Sequence, residues 1–378
     1  MAKESYDVLI IGGGLAGAAT AIALSQHWLG CRILLLEKQL SMRQRIGETL
    51  PPQAVGVLEQ LNLWQGFQKL GFMPSYGSCA LWDDEDGEQD LIENPFIYSP
   101  FGHGWHIDRQ RFDDWILEVA QQRGVEVRRG VQVKQLKRQA KGLQVKVRNE
   151  SMQGGEIQTK FIVDASGRKA NFAQRLDASV KRLRDDQLIC IAGYLQPQST
   201  AIDSTTLVEA CREGWWYTAS LPDGRQMVAL MTDADIAKEG CYKDPIIWQS
   251  LLAETKWVKK RLIDCKLEAG LNIYAADSYQ LNTMTGLDWL AVGDAVSCFD
   301  PLSSLGMLKA LRSGVVAAYA LTDAGKGDAM AMRKYQYLSQ QEYQGYLEKR
   351  CHYYAKVKQY AKAPFWRRRQ LQSKVLLP

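Results

Sequence analysis

The segment Asp7–Gly17, Asp-Val-Leu-Ile-Ile-Gly-Gly-Gly-Leu-Ala-Gly, limits this chain more than any other stretch. Its apolar run reads as a buried strand, its glycines as a tight turn, and Ala18–Leu24 as the helix that follows. Gly12 permits the turn, Gly14 lets backbone approach a pyrophosphate, and Gly17 lets the helix lie close on the strand. The N–H groups of Leu15 and Ala16 stand at the positive end of the helix dipole, which suits phosphate. Arg32–Leu36 reads as a second strand. It runs into Glu37, about 20 residues past the glycines, where an acid can accept hydrogen bonds from an adenosine ribose, and Lys38 follows it. The expectation is a Rossmann-like unit for NAD or FAD.

Composition bounds the rest. With 378 residues, 46% of them apolar, the chain can bury a core of one large or two closely joined domains. The longest apolar stretch, Val8–Leu24, is broken by the glycines and follows Glu4 and Asp7. Neither a signal peptide nor a transmembrane helix is therefore expected, and the location expected is cytoplasmic. Eight cysteines are scattered with no C-x-x-C pair, which suits reduced thiols and argues against a zinc site. His103 and His106 are spaced for a metal but have no third ligand in view, so no metal is expected. The net charge of +5 is uneven: seven basic residues and no acid follow Cys351, namely Lys356, Lys358, Lys362, Arg367, Arg368, Arg369 and Lys374. That tail reads either as a solvated helix end or as a docking surface for an acidic partner or a membrane face. No nucleic-acid module accompanies it.

Three further segments decide the nucleotide: Gly47-Glu48-Thr49-Leu50-Pro51-Pro52; Val163-Asp164-Ala165-Ser166-Gly167-Arg168; and Ala291-Val292-Gly293-Asp294-Ala295 with Asp300-Pro301-Leu302-Ser303-Ser304-Leu305-Gly306. Taken in order with the glycine turn, from about Tyr6 to Phe365, they resemble the FAD-dependent aromatic hydroxylases related to p-hydroxybenzoate hydroxylase. The wording G-E-T-L-P-P and D-P-L-S-S-x-G resembles the branch that holds the tryptophan halogenases. The resemblance implies an α/β fold: a glutathione-reductase-like FAD domain, an inserted antiparallel substrate sheet that covers the flavin, and a helical C-terminal segment. The FAD domain is expected at 1–70, 105–184 and 270–324, the substrate domain at 71–104 and 185–269, and the helical segment at 325–378.

Sequence alone expects strands at Ser75–Trp82, Leu188–Leu195, Thr205–Cys211, Gly214–Leu221 and Gln226–Thr232, with a hairpin at Pro222-Asp223-Gly224. It expects helices over Ser304–Leu321 and Ala329–Lys362, the second anchored in the core by Tyr335, Tyr346, Tyr353, Tyr354 and Tyr360.

The resemblance assigns Asp294, beside Gly293, to the ribityl hydroxyls of non-covalent FAD. It brings the helix behind Pro301, Ser304, Leu305, Gly306 and Met307 toward the flavin pyrimidine, where N–H groups would stabilise negative charge with no cationic side chain. Arg109, rather than Arg111, is expected beside the FAD phosphates, with Phe112 and Trp115 facing the core. Glu48 is expected either to order the crossover loop by capping or to contact the flavin neighbourhood, Thr49 is expected near the flavin, and Asp164 and Arg168 are expected near the pyrophosphate, although the last two read first as structural. Cys298 is not expected to act in redox. For the substrate, Trp215-Trp216-Tyr217 and Gly102–His106 are the candidates; alternation places Trp215 and Tyr217 on one face of a strand and Trp216 on the other. Trp216, Tyr217 and His106 are expected to hold the ring, with His103 or His106 a candidate base.

The halogenase-like branch places a lysine on the strand after G-E-x-x-x-P. Pro74–Trp82 contains none, Lys69 comes too early, and W-x-W-x-I-P is absent, Gly214-Trp215-Trp216-Tyr217 with Leu221-Pro222 standing in its region. The resemblance therefore implies hydroxylation of an electron-rich ring by flavin C4a-hydroperoxide, with O2 as co-substrate and electrons from NAD(P)H or a separate reductase. Some members mature tryptophylquinone cofactors by oxygenating a tryptophan in a partner protein, and cysteine tryptophylquinone oxidases use such helpers. The short chain, the missing lysine and the basic tail suit that role, with an acidic partner. A free aromatic metabolite, halogenation and a hydride-transferring reductase are the alternatives.

Overall fold

In a computed structural model, residues 4–41, 47–83, 91–140, 142–149, 154–197, 204–268 and 270–376 are described, without the side chains of 373–376. Lys374 of the basic tail lies outside the described side chains. The apolar strand Glu4–Ile11 sits inside a seven-stranded sheet. Ile33–Glu37 and Gly154–Asp164 flank it in parallel, and Trp289–Ala291 pairs in parallel with the latter. Such strands, covered on both faces, are apolar without alternation, and Ile33–Glu37 is buried at every position. Helices Leu15–His27, Arg109–Gln122 and Gly306–Gly325 cover one face through Val8, Ile10, Leu35, Phe112 and Leu311.

Glycine sets how closely the first and last of these helices approach. A Cβ on Gly17 would lie 2.0 Å from the Gly12 carbonyl, and one on Gly314 would lie 2.7 Å from the Ala16 carbonyl. Neither position has room for a side chain, so helix meets strand and helix meets helix at backbone distance.

The second large sheet has eight strands. Leu188–Pro197, Gln226–Asp233, Gly214–Ser220 and Thr205–Cys211 run antiparallel in sequence of pairing. The Pro222-Asp223-Gly224 turn closes the expected hairpin, with the Leu221 N–H on the Arg225 carbonyl at 2.8 Å and Gly224 at φ 87°. Strand Asn272–Ala275 joins Leu188–Pro197, so this sheet continues past the boundary expected at 269. With that extension we propose the same division into FAD domain, inserted sheet and C-terminal helices that the sequence suggests.

Two expectations need correction. Ser75–Trp82 is not one strand: Met73–Ser75 pairs with Gly104–His106, whereas Gly77–Leu81 joins the eight-stranded sheet beside Thr205–Cys211. The chain changes sheets at Tyr76, where a short strand can serve one partner only. The helix expected over Ala329–Lys362 ends at Ala355, and a separate helix, Pro364–Leu376, follows it. Pro364 lacks an N–H and opens the second helix. Tyr335, Tyr346 and Tyr354 are buried as expected and Tyr360 is half-buried, but Tyr353 is exposed because it lies on the outer side of its helix.

Among the described residues, no helix is long and apolar enough to cross a membrane, and no group of three or more His, Cys, Asp and Glu is placed to hold a metal ion. All eight cysteines are free.

Candidate active site

The glycine turn forms a cradle. Gly12 takes φ 121°, and a Cβ there would meet the Ala165 carbonyl at 2.2 Å. The helix ladder begins with the Ala18 N–H on the Gly14 carbonyl at 3.0 Å, so the N–H groups of Leu15, Ala16 and Gly17 have no intrahelical acceptor. No acid occupies the first turn. A backbone cradle with a positive dipole end fits a dinucleotide pyrophosphate. Glu37 is buried at the end of its strand, accepting the Gly13 N–H at 2.7 Å and the Gln39 N–H at 2.9 Å. Lys38 beyond it is exposed.

Asp164 is not placed to reach a ligand. It is fully buried, and its two oxygens accept from the Ser166 N–H and hydroxyl and from the Phe172 and Ala173 N–H groups, at 2.6–3.0 Å. Two of the four bonds hold the turn at Ser166 and the other two satisfy the first N–H groups of the helix Asn171–Leu176, so the side chain serves the fold. Arg168 turns to Asp277, 3.0 Å from its carbonyl and 3.3 Å from its carboxylate.

A second helix end closes the other side. After Trp289–Ala291 the turn Gly293–Ala295 presents Asp294, and a Cβ on Gly293 would come within 2.6 Å of Ala16. The Asp294 turn thus lies against the first turn of the nucleotide helix. Its carboxylate pairs with Lys309 Nζ at 3.2 Å. Burial pushes the Asp294 pKa up, but Lys309, Arg168 and Arg109 outweigh it and hold the group below the usual carboxylate range. Asp300 caps the turn Pro301–Ser303 through the Leu302 N–H at 2.9 Å, and Ser304 takes φ 51°. Leu305 then caps the helix Gly306–Gly325, whose backbone ladder starts at Lys309. The N–H groups of Gly306 and Met307 precede that ladder, and Gly306 is exposed. Both helix starts and a shared carboxylate between them fit FAD.

Lys309 is a residue of this loop that the sequence did not single out. The N–H groups were expected to need no cationic side chain, and the cation that is buried behind this loop, Lys309, is bonded instead to Asp294 and to the Gly293 and Ser297 carbonyls. Its only sequence signal is a lysine inside the apolar run Met307–Leu311. Arg109 reaches Asp113 at 3.3 Å and approaches the Gly47 carbonyl at 3.5 Å, whereas Arg111 lies over the Phe72 ring. Cys298 is buried, and burial pushes its thiol up to about 12, so it stays a protonated thiol.

The inner face of the eight-stranded sheet completes the site. Thr49 stands opposite His106 on neighbouring strands. Its hydroxyl is 3.0 Å from the Tyr217 hydroxyl and 3.5 Å from His106 Nδ1. His106 Nε2 faces the Ser204 carbonyl at 3.0 Å, so Nε2 carries the hydrogen of the neutral ring and Nδ1 is left to accept. His103 stays apart, against the Gly104 carbonyl and the Trp105 ring. Glu48 is buried beside this group and accepts the Gly47 N–H at 3.0 Å. Burial drives its pKa up to about 7 against the pull of Gly47, its own N–H and Arg109. Its charge in turn adds to the burial that raises Cys190, Tyr194, Tyr217 and Tyr274. Tyr194, Tyr274 and Cys190 were missed in the sequence. Alternation marks Cys190 and Tyr194 as sharing a face but not which way it looks.

Trp216 does not line this site. It is fully buried on the opposite face, 4.9 Å from the Trp248 ring and among Val258 and Leu262 of the outer helices. Trp215 shares the inner face with Tyr217 but is packed away from the opening, its indole N–H on the Tyr354 hydroxyl at 2.9 Å. Trp216→Phe should therefore lower the urea midpoint while moving flavin affinity and substrate KM by less than about twofold, as a core change remote from the site does. A larger KM change would return Trp216 to the site.

The basic tail is corrected too. Arg368 pairs with Asp233 at 2.9 Å and Asp235 at 2.6 Å, and buried Arg369 pairs with Asp233 at 2.8 Å. Two of the seven cations thus bind acids that lie far away in sequence, while Lys356, Lys358, Lys362 and Arg367 are exposed.

A family model described as "FAD binding domain" matches residues 5–342. The LodB protein of Marinomonas mediterranea, named for an FAD-dependent oxidoreductase, is 30% identical over 372 residues, covering 97% of each chain. Among solved structures, the myxobacterial chondrochloren halogenase CndH superposes with a TM-score of 0.87 at 24% identity, covering 97% of this chain and 86% of that one. The peptidyl tryptophan dihydroxylase QhpG, essential for tryptophylquinone cofactor biogenesis, superposes at 0.71 and 22% identity, covering 97% and 79%.

Proposed function

The chain belongs to the FAD-binding-domain family, and from that premise we propose that this FAD-dependent oxidoreductase is a monooxygenase that attaches oxygen to the ring of a tryptophan carried on a partner protein. The observation that carries the proposal is the inner face of the sheet, where Tyr194, Tyr217 and Tyr274 pack against one apolar cluster, Tyr217 meets Thr49, and all three phenols feel the charge of buried Glu48, while the segment Pro74–Trp82 has no lysine. Tyrosine rings give an aromatic guest flat apolar walls. A halogenating site on this fold would call for a cation to capture hypohalous acid, and that segment supplies none.

When bound, FAD supplies electrons that activate dioxygen. The residues of the chain do the rest. Leu15–Gly17 N–H groups and Glu37 hold the dinucleotide, and Asp294 and the start of the helix Gly306–Gly325 orient its reactive end. Thr49 and Tyr217 align the guest ring, and the tyrosine wall keeps water from it. The Marinomonas relative supports oxidoreductase chemistry over the whole chain, and QhpG lends a peptidyl tryptophan as a substrate handled on the same fold. The exposed Lys356, Lys358, Lys362 and Arg367 favour an acidic partner, whose binding would weaken with salt.

The test is co-expression with a candidate partner followed by weighing its tryptophan peptide. The peptide should gain the mass of one or two oxygen atoms, and added bromide should leave no brominated product once free hypohalite is scavenged. An unchanged peptide alongside turnover of a free aromatic compound would replace the protein substrate by a small molecule. Bromide-dependent product would replace hydroxylation by halogenation.

A further inference from the structure

Glu48 is well placed for more than ordering its loop. It precedes Thr49 in the short strand Thr49–Leu50, which pairs with Gly104–His106 and so stands between the nucleotide cradle and the eight-stranded sheet. Its carboxyl is buried and bonded to the adjacent Gly47 N–H. Three strands bring to one cluster the groups that feel its charge: Cys190 and Tyr194 from Leu188–Pro197, Tyr217 from Gly214–Ser220 and Tyr274 from Asn272–Ala275. From the helix Arg109–Gln122 comes Arg109, and the next residue along the strand, Thr49, contacts Tyr217 and His106 through its hydroxyl. Arg109 is committed to Asp113 and the Gly47 carbonyl. His106 already faces the Ser204 carbonyl through one nitrogen and Thr49 through the other. The three phenols and the Cys190 thiol are all raised, by burial first and with Glu48 adding to it (for Tyr274 after Cys190), so none of them is an anion at neutral pH.

We propose that Glu48 is the catalytic base of this site, its carboxylate taking the proton that the aromatic ring loses when oxygen is attached. Resting on the oxygenation proposed above, the step balances as follows. One atom of dioxygen, activated by two electrons delivered through the flavin, forms a bond to a ring carbon. The ring C–H bond breaks, its electron pair returns to the ring, and its proton goes to Glu48. The second oxygen atom leaves as water, taking up two protons, one returned by Glu48 and one from solvent, and a further solvent proton completes the new hydroxyl on the ring. With its pKa raised to about 7, Glu48 is ionised above that pH and protonated below it. That places it near the operating pH, where a base works best. Turnover should rise with pH through about 7 and level off above it.

The test compares FAD-loaded wild type with Glu48→Gln and Glu48→Asp. Glutamine keeps an acceptor for the Gly47 N–H, and an unchanged flavin spectrum confirms an intact site. First, 4-nitrophenol is bound between pH 5 and 9 and its ionisation followed by absorbance, which needs no turnover. In the wild type the bound phenol should stay protonated to higher pH than free phenol, because phenolate and the Glu48 carboxylate repel. In Glu48→Gln that displacement should vanish. Failure of the phenol to bind, or identical titrations in both proteins, would overturn the proposal.

Second, oxygenated product and released hydrogen peroxide are measured against pH. Glu48→Gln should lose about a hundredfold to ten-thousandfold in turnover, together with the rise through pH 7, while reduced flavin is still consumed and peroxide released. Glu48→Asp should recover part of the rate and the pH limb. Normal turnover and the same limb in Glu48→Gln would overturn the base and leave the monooxygenase standing. No oxygenated product from the wild type would overturn the monooxygenase, and the phenol titration would then report separately whether Glu48 faces a bound ring.

Discussion

Asp294→Ala is expected to lose its flavin during purification while the chain stays soluble and folded. The carboxylate is half-exposed on a turn that lies against the first turn of the nucleotide helix. It stays ionised because Lys309, Arg168 and Arg109 outweigh the burial that would protonate it. An ionised carboxylate accepts hydrogen bonds and donates none, which is what ribityl hydroxyls ask of a partner. Two charge-assisted bonds lost at about 1.5–3 kcal/mol each weaken FAD binding by about a hundredfold to ten-thousandfold. The fold survives because Lys309 Nζ keeps the Gly293 and Ser297 carbonyls. Visible flavin absorbance per chain measures the loss, and far-ultraviolet circular dichroism checks the fold. Asp294→Asn, which keeps shape and one acceptor oxygen, should fall between. Full flavin occupancy in Asp294→Ala would mean that the carboxylate serves only to pair Lys309. Yellow colour remaining on the precipitated protein after denaturation would contradict non-covalent binding.

How much of this was legible in the sequence follows from the range of the interactions. The turn Gly12–Gly17 could be read because its geometry is local: strand, positive φ, helix start and Glu37 all fall within one βαβ unit. The hairpin at Pro222–Gly224 was readable for the same reason. The faces of Gly214–Ser220 were not. Period-two alternation separated Trp216 from Tyr217, but which of them meets the site depends on Trp248, Val258 and Leu262, contributed by later helices. The tail misled in the same way. A run of arginines without a neighbouring acid looks solvated, and nothing local shows that Asp233 and Asp235, more than 130 residues away, will neutralise Arg368 and Arg369. Asp164 was ambiguous because a strand-end acid before a glycine serves equally as a ligand or as a cap. Four protein donors decide it.

The same long-range pairing links the helix Ala331–Ala355 to the loop Asp300–Gly306, and Arg350 is where that link can be broken. Arg350 Nη2 lies 2.6 Å from Asp186 and its Nε 3.5 Å from Asp300, and all three side chains are buried. Asp300 also accepts from the Tyr354 hydroxyl at 2.7 Å and the Leu302 N–H at 2.9 Å, and its own N–H donates to the Tyr346 hydroxyl at 2.7 Å. Asp300 opens the turn that leads to Gly306, so the helix Ala331–Ala355 fixes that turn by three side chains: Tyr346, Arg350 and Tyr354. Arg350→Met should cost about 3–5 kcal/mol of unfolding free energy, because removing one partner strands two carboxylates in the interior. The pair itself need not be a net gain over apolar packing; the cost comes from the charges left behind. Adding Asp186→Asn to Arg350→Met should therefore recover stability, which a simple lost contact would not do. Urea denaturation of both variants measures this. Near-zero cost for Arg350→Met, with no recovery in the double variant, would mean that water reaches Asp186 and Asp300 and that the helix does not hold the loop. If the cost appears, flavin should also be released at lower urea than in the wild type, because the N–H groups at Gly306 and Met307 are aimed by the turn that Asp300 anchors.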